Sequence, residues 1–301
     1  MKRAALVFLA LLMVASLTVG CSQPEPAAPA QDQPSEEANG QQDASSEPDV
    51  DFGEMIEVRG SDTMVNLGQG WAEAFMNEYP DAMISVTGGG SGTGVAALIN
   101  GTIDMAQVSR SISEDEIQQG KDNGVDVHEI VGGRDGIAVV VHVDNPVDTL
   151  SMGQIKALFT GEITNWSEVG GPDIEVGLYS RDTSSGTYVF FREFVLDEED
   201  YSDDALLMPS TQAIVEGVIQ DEGGIGYIGL GYLSDDTKAV SVSMEEGGEA
   251  FMPESSEYPV ARPLFLYTNG EPTGVLKLYV DFILSSEGQK IVGDVGFIPL
   301  F

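Results

Sequence analysis

Residues 83–100 read MISVTGGGSGTGVAALIN, and this stretch predicts the unit from which the fold is built. Residues 83–87 read as a β-strand, and residues 91–100 read as a short helix. Between them lies a loop of glycine and hydroxyl residues, Gly88 to Gly94. Glycine lets the backbone approach a ligand closely, and the free N–H groups at a helix N-terminus favour an anion. The stretch therefore predicts a strand–loop–helix unit suited to binding an anion.

The same order of strand, polar loop and helix occurs at two other places. Gly60-Ser61-Asp62-Thr63 follows a predicted strand at 56–59, and Arg181-Asp182-Thr183-Ser184-Ser185-Gly186-Thr187 follows a predicted strand at 174–179. In open α/β sheets, loops at the carboxyl ends of strands meet at one crevice, which is the usual ligand position. Arg181 adds a planar cation that suits an oxyanion. We therefore expect the three loops to converge on one site.

Strands and helices alternate along the rest of the chain, which predicts an α/β fold with mainly parallel sheets. Further strands are predicted at 103–108, 137–143, 225–230 and 262–267. The predicted helices are 63–79, 91–100, 113–119, 151–159, 185–196, 211–220, 273–284 and 286–293.

Residues 1–20 predict an export signal. Two basic residues precede the apolar run Ala4 to Val19, which is shorter than a comfortable transmembrane helix. The run ends at Cys21, the single cysteine of the chain, and Leu17-Thr18-Val19-Gly20-Cys21 resembles the lipobox of bacterial lipoproteins. We expect acyl chains on Cys21 to anchor the protein at the extracytoplasmic face of the cell membrane. A plain secretory signal is the alternative.

Residues 21–53 predict a disordered acidic tether. This segment contains five prolines, eight acidic residues and no basic residue, with almost no large apolar side chain to bury. The whole chain carries a formal net charge of −37, which argues against a nucleic-acid partner. We interpret the acidity as a salt-adapted surface, as in a halophile. An ordinary acidic protein is the alternative.

The residues expected for catalysis or metal binding are scarce. A single cysteine excludes an intrachain disulfide and a zinc–cysteine site. His128 and His142 lie in strand-like stretches, where we expect structural roles. Neither glycine-rich loop matches the phosphate loop of nucleotide hydrolases, because no lysine follows the glycines. We therefore predict a protein that is not an enzyme, with no catalytic residue, no cofactor and no metal ion.

The order and content of the motifs resemble the phosphate-binding lipoproteins that serve the bacterial phosphate ABC importer, within the periplasmic-binding-protein superfamily. The resemblance covers nearly all of residues 54–301. It rests on Gly60-Ser61-Asp62-Thr63, Trp71 to Phe75, Gly88 to Gly94, Gly101 to Asp104, Ser109-Arg110, Phe159 to Trp166, Arg181 to Tyr188, Gly223 to Tyr227 and Ser286 to Lys290.

The resemblance implies a two-lobe periplasmic-binding-protein fold of the class II type, with the ligand cleft between the lobes. Residues 54–135 and 262–301 would form lobe 1, and residues 136–261 would form lobe 2. The implied protein is a monomer that captures inorganic phosphate and delivers it to the membrane permease subunits of the importer. The alternatives are a receptor for sulfate, molybdate or tungstate, and a signalling or enzymatic ectodomain that uses the same cleft.

The resemblance also implies which residues contact phosphate, with both lobes contributing. These are Thr63, Ser91 and Ser109 from lobe 1, and Arg181, Ser185, Gly186 and Thr187 from lobe 2.

One position departs from the family pattern. In many members an aspartate follows the third strand and accepts the proton of the bound phosphate, whereas Ser109 stands here, followed by Arg110. Arg110 is either a second cation for the anion or part of a salt bridge in the cleft wall. Asp62, beside Thr63 in the first loop, is our candidate for the missing acceptor, and Asp135 in a predicted turn at 133–136 is the runner-up. Ser61 in the first loop is a possible additional contact of the anion.

Overall fold

A β-sheet of nine strands organises residues 52–301, which are the residues that this computed structural model describes. The predicted signal at 1–20, Cys21 and nearly all of the 21–53 tether lie outside the described residues. The strands are β1 (Ile56–Gly60), β2 (Ile84–Thr87), β3 (Met105–Val108), β4 (Val127–His142), β5 (Thr149–Ser151), β6 (Gly177–Arg181), β7 (Leu206–Met208), β8 (Gly224–Gly229), β9 (Thr237–Ala239), β10 (Ser241–Ser243), β11 (Ala250–Phe251) and β12 (Ala261–Asn269).

All eight helices predicted from the sequence are present, and each helix end lies within three residues of its predicted position. Within residues 52–301, no helix combines the length and the apolar character needed to cross a membrane. The helices are α1 (Val65–Glu78), α2 (Ser91–Ile99), α3 (Glu114–Asp122), α4 (Met152–Thr160), α5 (Gly186–Phe194), α6 (Thr211–Gln220), α7 (Gly274–Ile283) and α8 (Ser286–Asp294).

The large sheet has the spatial order β2-β1-β3-β12-β4-β8-β6-β7, with β9 also paired to β4, and β5, β10 and β11 form a separate small sheet. Strand β1 pairs parallel with β2 and β3, and β6 pairs parallel with β7 and β8. The central pairs β3–β12, β12–β4, β4–β8 and β4–β9 are antiparallel. The predicted α/β class is confirmed. The expectation of mainly parallel sheets is wrong, because β12 and β4 pair antiparallel in the centre of the sheet and join the parallel group β1–β2–β3 to the parallel group β6–β7–β8. The division into two lobes and the class II type stay predictions.

Strand β4 is much longer than the predicted strand at 137–143. Its 16 residues pair first with β12, over 127–136, and then with β8, over 137–141. The predicted turn at 133–136 is therefore wrong, because these residues belong to the strand. Glycines weaken most strands, but here they make room for neighbours: a Cβ atom at Gly136 would lie 2.7 Å from the carbonyl oxygen of Pro253.

Large aromatic side chains fill the cores on which the loops of the site are mounted. Trp71 and Phe75 lie in one core, and Phe191 and Tyr227 lie in another, each at most 1% exposed. The rings of Phe191 and Tyr227 stack with their centroids 4.1 Å apart. Fully burying one such side chain contributes about 1.5–3 kcal/mol to folding. The strand ends are therefore held by well-packed elements.

Candidate functional site

Five hydroxyl side chains from four segments of the chain meet in one buried cluster: Ser61, Thr63, Ser91, Ser109 and Thr187. The Ser61 hydroxyl donates to Ser109 Oγ at 2.8 Å, and the Oγ atoms of Ser91 and Ser109 are 3.3 Å apart. The Oγ1 atoms of Thr63 and Thr187 are 2.8 Å apart. None of the five residues is more than 2% exposed. We call this group the hydroxyl cluster.

Gly186 brings the third predicted loop against the second loop and against Ser109. A Cβ atom at this position would lie 2.3 Å from Ser91 Oγ and 2.9 Å from Ser109 Oγ. These distances are too short for a Cβ atom, so only glycine at position 186 lets the backbone lie this close to the hydroxyl cluster. Thr187 follows directly and places its own hydroxyl in the cluster.

Two helices begin at the hydroxyl cluster. Helix α2 starts at Ser91, and its N-cap residue Gly90 has a φ of 93° and provides no side-chain cap. Helix α5 starts at Gly186, and its N-cap Ser185 accepts hydrogen bonds from the N–H groups of Thr187 and Tyr188. The first turn of a helix carries a partial positive charge, which favours an anion. The cluster thus lies where two such charges come together.

Arg181 is the last residue of β6 rather than a loop residue, and its side chain is 1% exposed. Its Nε atom donates to the carbonyl of Met208 at 3.3 Å, and Nη1 donates to Thr211 Oγ1 at 3.1 Å. Its Nη2 atom donates to Asp62 Oδ2 at 2.8 Å and to the carbonyl of Pro209 at 3.2 Å. These bonds use four of the five N–H groups of a guanidinium and fix its orientation.

Asp62 joins the three predicted loops. One carboxylate oxygen accepts from Arg181, and the other accepts from the N–H of Gly89 at 3.1 Å. The Tyr232 hydroxyl donates to the Asp62 carbonyl at 2.8 Å. Burial, with a further contribution from the Asp62 carboxylate, raises the pKa of Tyr232 to about 12, so this hydroxyl stays protonated.

A second buried ion pair, which the sequence analysis missed, lies next to the hydroxyl cluster. Arg262 in β12 stands opposite Asp135 in β4, and Arg262 Nη2 is 3.0 Å from Asp135 Oδ2. Burial raises the pKa of Asp135, and the charge of Arg262 opposes that rise. Burial lowers the pKa of Arg262, and Asp135 opposes that change. An arginine stays protonated in proteins, so Asp135 faces a permanent positive charge.

Arg110 lies outside the hydroxyl cluster. Its Nη1 and Nη2 atoms donate to the two carboxylate oxygens of Glu116 at 2.8 and 2.7 Å. Glu116 also accepts from Ser113, the N-cap of α3, in a capping box. Burial alone raises the pKa of Glu116, but the bonds from Arg110 and Ser113 outweigh it and lower that pKa. This geometry favours the salt-bridge alternative for Arg110.

The structure thus brings together all seven residues of the predicted contact set, with Ser61 and Asp62 beside them. Asp135 is connected to this set by Arg262, which contacts both Asp135 and Thr187. Arg110 instead pairs with Glu116. Hydroxyl groups, helix N-termini and a guanidinium form a set of hydrogen-bond donors that is suited to an oxyanion. Among residues 52–301, no group of three or more His, Cys, Asp or Glu side chains could hold a metal ion.

Comparison with protein families gives one family model, described as a PBP superfamily domain, which matches residues 24–287. Curated relatives include the phosphate-binding protein PstS of Pseudomonas aeruginosa, 31% identical over 264 residues that cover 80% of this chain and 81% of that protein. The phosphate-binding protein PstS of Bacillus subtilis is 34% identical over 250 residues, covering 81% of this chain and 80% of that protein.

Two solved structures extend the comparison. One, from Clostridium perfringens, is described as a phosphate ABC transporter substrate-binding protein with bound phosphate. It is 34% identical, has a TM-score of 0.75, and matches 82% of this chain and 100% of that chain. The other is an ABC-type phosphate transport receptor from Vibrio cholerae, 27% identical with a TM-score of 0.65, matching 81% of this chain and 99% of that chain.

Proposed function

Because this chain belongs to the PBP superfamily and, within it, to the phosphate-binding proteins called PstS, we propose that it captures inorganic phosphate and delivers it to an ABC importer. The observation that carries the proposal is the hydroxyl cluster with Arg181 and two helix N-termini beside it. All of these groups donate hydrogen bonds, and a phosphate oxygen accepts them. Arg181 would add a charge-assisted contact.

The strong acidity of the chain does not oppose this function. At physiological ionic strength, charges on the surface are screened beyond about 8 Å. Near the hydroxyl cluster the formal charges balance, since Asp62 pairs with Arg181 and Asp135 pairs with Arg262. Attraction for an anion therefore comes from local donors in contact with it, in a buried setting where electrostatic interactions are strongest.

The proposed phosphate contacts are the residues that the resemblance implied: Thr63, Ser91, Ser109, Arg181, Ser185, Gly186 and Thr187. Ser61 supports Ser109 by donating to its hydroxyl. A lobe boundary at residues 135–136 and 261–262 is part of the proposal, because β4 and β12 carry the chain between the two parallel ends of the sheet at these positions.

The setting of the protein is a further part of the proposal. We place it outside the cytoplasm as a monomer that is anchored to the cell membrane by lipid on Cys21 and linked to the ordered part by the 21–53 tether. The support is the sequence pattern of residues 1–21. Its partners would be phosphate and the permease subunits of the importer, and it would release phosphate chemically unchanged.

Calorimetric titration of the purified protein with phosphate, sulfate, molybdate and tungstate tests the proposal. We expect phosphate to bind most tightly. If another of these anions binds more tightly than phosphate, that oxyanion becomes the proposed ligand of the receptor. Absence of binding to all four, or conversion of a phosphate ester during incubation, would favour a signalling or enzymatic role.

Selectivity against sulfate tests the role of Asp62. Phosphate at neutral pH carries a proton, and an acceptor in the site rejects sulfate because two acceptors then face each other without a hydrogen. Asp62 is the carboxylate that contacts both Arg181 and the glycine-rich loop. We expect Asp62→Asn to narrow the ratio of phosphate to sulfate affinity in competition titrations. An unchanged ratio would show that another group rejects sulfate.

A further inference from the structure

Arg262 touches both sides of the hydroxyl cluster. Its Nη1 atom donates to the carbonyl oxygen of Ser109 at 2.5 Å, and its Nη2 atom donates to Thr187 Oγ1 at 2.8 Å. Ser109 follows β3 in the first part of the sheet, whereas Thr187 lies in the first turn of α5. Given the proposed phosphate site, we propose that Arg262 is a positioning residue that forces the Thr187 hydroxyl to donate to the bound anion.

The reasoning starts from the hydrogen on Thr187. A guanidinium has only donors, so the bond between Arg262 and Thr187 uses Thr187 Oγ1 as an acceptor. The single hydroxyl hydrogen of Thr187 must then point elsewhere. The Thr63 hydroxyl lies 2.8 Å from Thr187 Oγ1, and either oxygen can donate in that pair. Because Arg262 already uses Thr187 Oγ1 as an acceptor, we infer that Thr187 is the donor toward Thr63, so that its hydrogen points into the hydroxyl cluster. An anion in the cluster therefore meets Thr187 as a donor.

Arg262 is itself held on several sides. Its Nε and Nη2 atoms donate to Asp135 Oδ2 at 3.3 and 3.0 Å, while Asp135 Oδ1 accepts from the N–H of Leu230 at 3.0 Å. The Arg262 guanidinium also lies 5.5 Å from the ring centre of Phe190 in α5. With both charges of the pair almost fully buried, the guanidinium has one orientation available to it.

A contribution to folding stability does not by itself explain why Arg262 and Asp135 are buried as a charged pair. Removing two charges from water costs several kcal/mol per ion, and apolar replacements of buried pairs are often neutral or stabilising. Buried, hydrogen-bonded charges at a site are instead typical of groups arranged for function. Here the pair lies where β4 and β12 cross between the two ends of the sheet, and it orients one hydroxyl from α5 and one carbonyl from the end of β3.

Replacing both charges tests the inference without leaving a buried carboxylate unpaired. We expect Arg262→Met with Asp135→Leu to fold, as judged by its melting temperature, and to weaken phosphate binding by about 10- to 100-fold, the loss of one to two charged hydrogen bonds. Arg262→Lys should fold beside Asp135 and should also bind more weakly, because one ammonium cannot replace the two-sided contact of the planar guanidinium. Arg192→Met, which removes an exposed cation, is the matched control and should bind as the wild type does.

Thr187→Val distinguishes positioning from a merely structural role. If Arg262 acts through the Thr187 hydroxyl, replacing the pair in the Thr187→Val background should cost much less affinity than in the wild type, because there is no hydroxyl left to orient. Equal losses in both backgrounds, or binding within twofold of the wild type for Arg262→Lys and for the charge-free variant, would overturn the inference. If the wild type itself does not bind phosphate, the proposed function and this inference both fall.

Discussion

Arg181→Ala is the change whose effect on binding follows most directly from the structure. The substitution removes a guanidinium that is 1% exposed and makes four hydrogen bonds, one of them to the Asp62 carboxylate. In the proposed complex, Arg181 and phosphate form a buried, hydrogen-bonded charge pair, and truncating one partner of such a pair across a binding interface costs about 2–5 kcal/mol. With a factor of ten for each 1.4 kcal/mol, phosphate affinity should fall by about 30- to 4,000-fold.

Isothermal titration with phosphate measures this loss, and a melting curve of each variant reports the fold. Arg192→Ala is the matched control, because Arg192 pairs with Asp200 at the surface, where ion pairs contribute about 0–1 kcal/mol. Its phosphate affinity should equal that of the wild type. The phosphate affinity of Arg181→Lys should lie between those of Arg181→Ala and the wild type, because lysine keeps the positive charge but cannot form the same set of planar hydrogen bonds.

A phosphate affinity of Arg181→Ala within twofold of the wild type, with the protein folded, would refute the reasoning. Arg181 would then be a structural residue that ties β6 to Asp62. A combined Asp62→Asn and Arg181→Ala variant supports that reading if its melting temperature recovers while phosphate affinity is unchanged throughout.

Three further outcomes are expected. Because bonds from Arg110 and Ser113 hold the pKa of Glu116 below its ordinary 4.5, the stability it contributes is present above that pH and is lost as the pH falls through the folded value. Glu116→Gln should therefore melt below the wild type near pH 7, and this deficit should shrink as the pH falls below 4.5. A deficit that stays constant as the pH falls would contradict this. The melting temperature of the wild type should rise from low to molar salt, because residues 52–301 carry 42 acidic and 11 basic side chains whose repulsion is screened; a flat or falling curve would remove the salt-adapted interpretation. Cys21→Ala should release the protein from the membrane fraction of cells, and a processed variant that stays bound would indicate another attachment.

The loops of the site could be predicted from the sequence because their signals are local. A strand, a run of glycine and hydroxyl residues and a helix follow one another within about 20 residues, as at Gly88 to Gly94. Each loop is then positioned by its own strand and helix. The rule for the carboxyl ends of parallel strands accounts for the meeting of the segments that follow β1 and β3, which are parallel. It does not account for the loop after β6, because three antiparallel pairs between β3 and β8 make β6 run opposite to β1 and β3.

Arg262 and Asp135 escaped prediction because their signal is not local. They are separated by 127 residues and meet only through the register of β12 against β4. The glycines around Asp135 indicated a turn, whereas the strand uses them for close packing. The pairing of Arg110 was within reach of the sequence, since Ser113 and Glu116 have the spacing of a capping box and Glu116 is the acid that Arg110 contacts.

The place of β12 in the sheet has a consequence for the order in which the chain folds. Strand β12 (Ala261–Asn269) lies between β3 and β4, and α7 and α8 add side chains such as Tyr279 and Val292 to the core around Trp71. A chain growing from its N-terminus therefore exposes unpaired edges of β3 and β4 until its last 41 residues are made. Unpaired strand edges recruit other chains, and such distant pairings form slowly. Fragments that end before residue 261 should therefore aggregate rather than fold, and a chaperone that shields nascent strands should matter more to this protein than its modest length suggests.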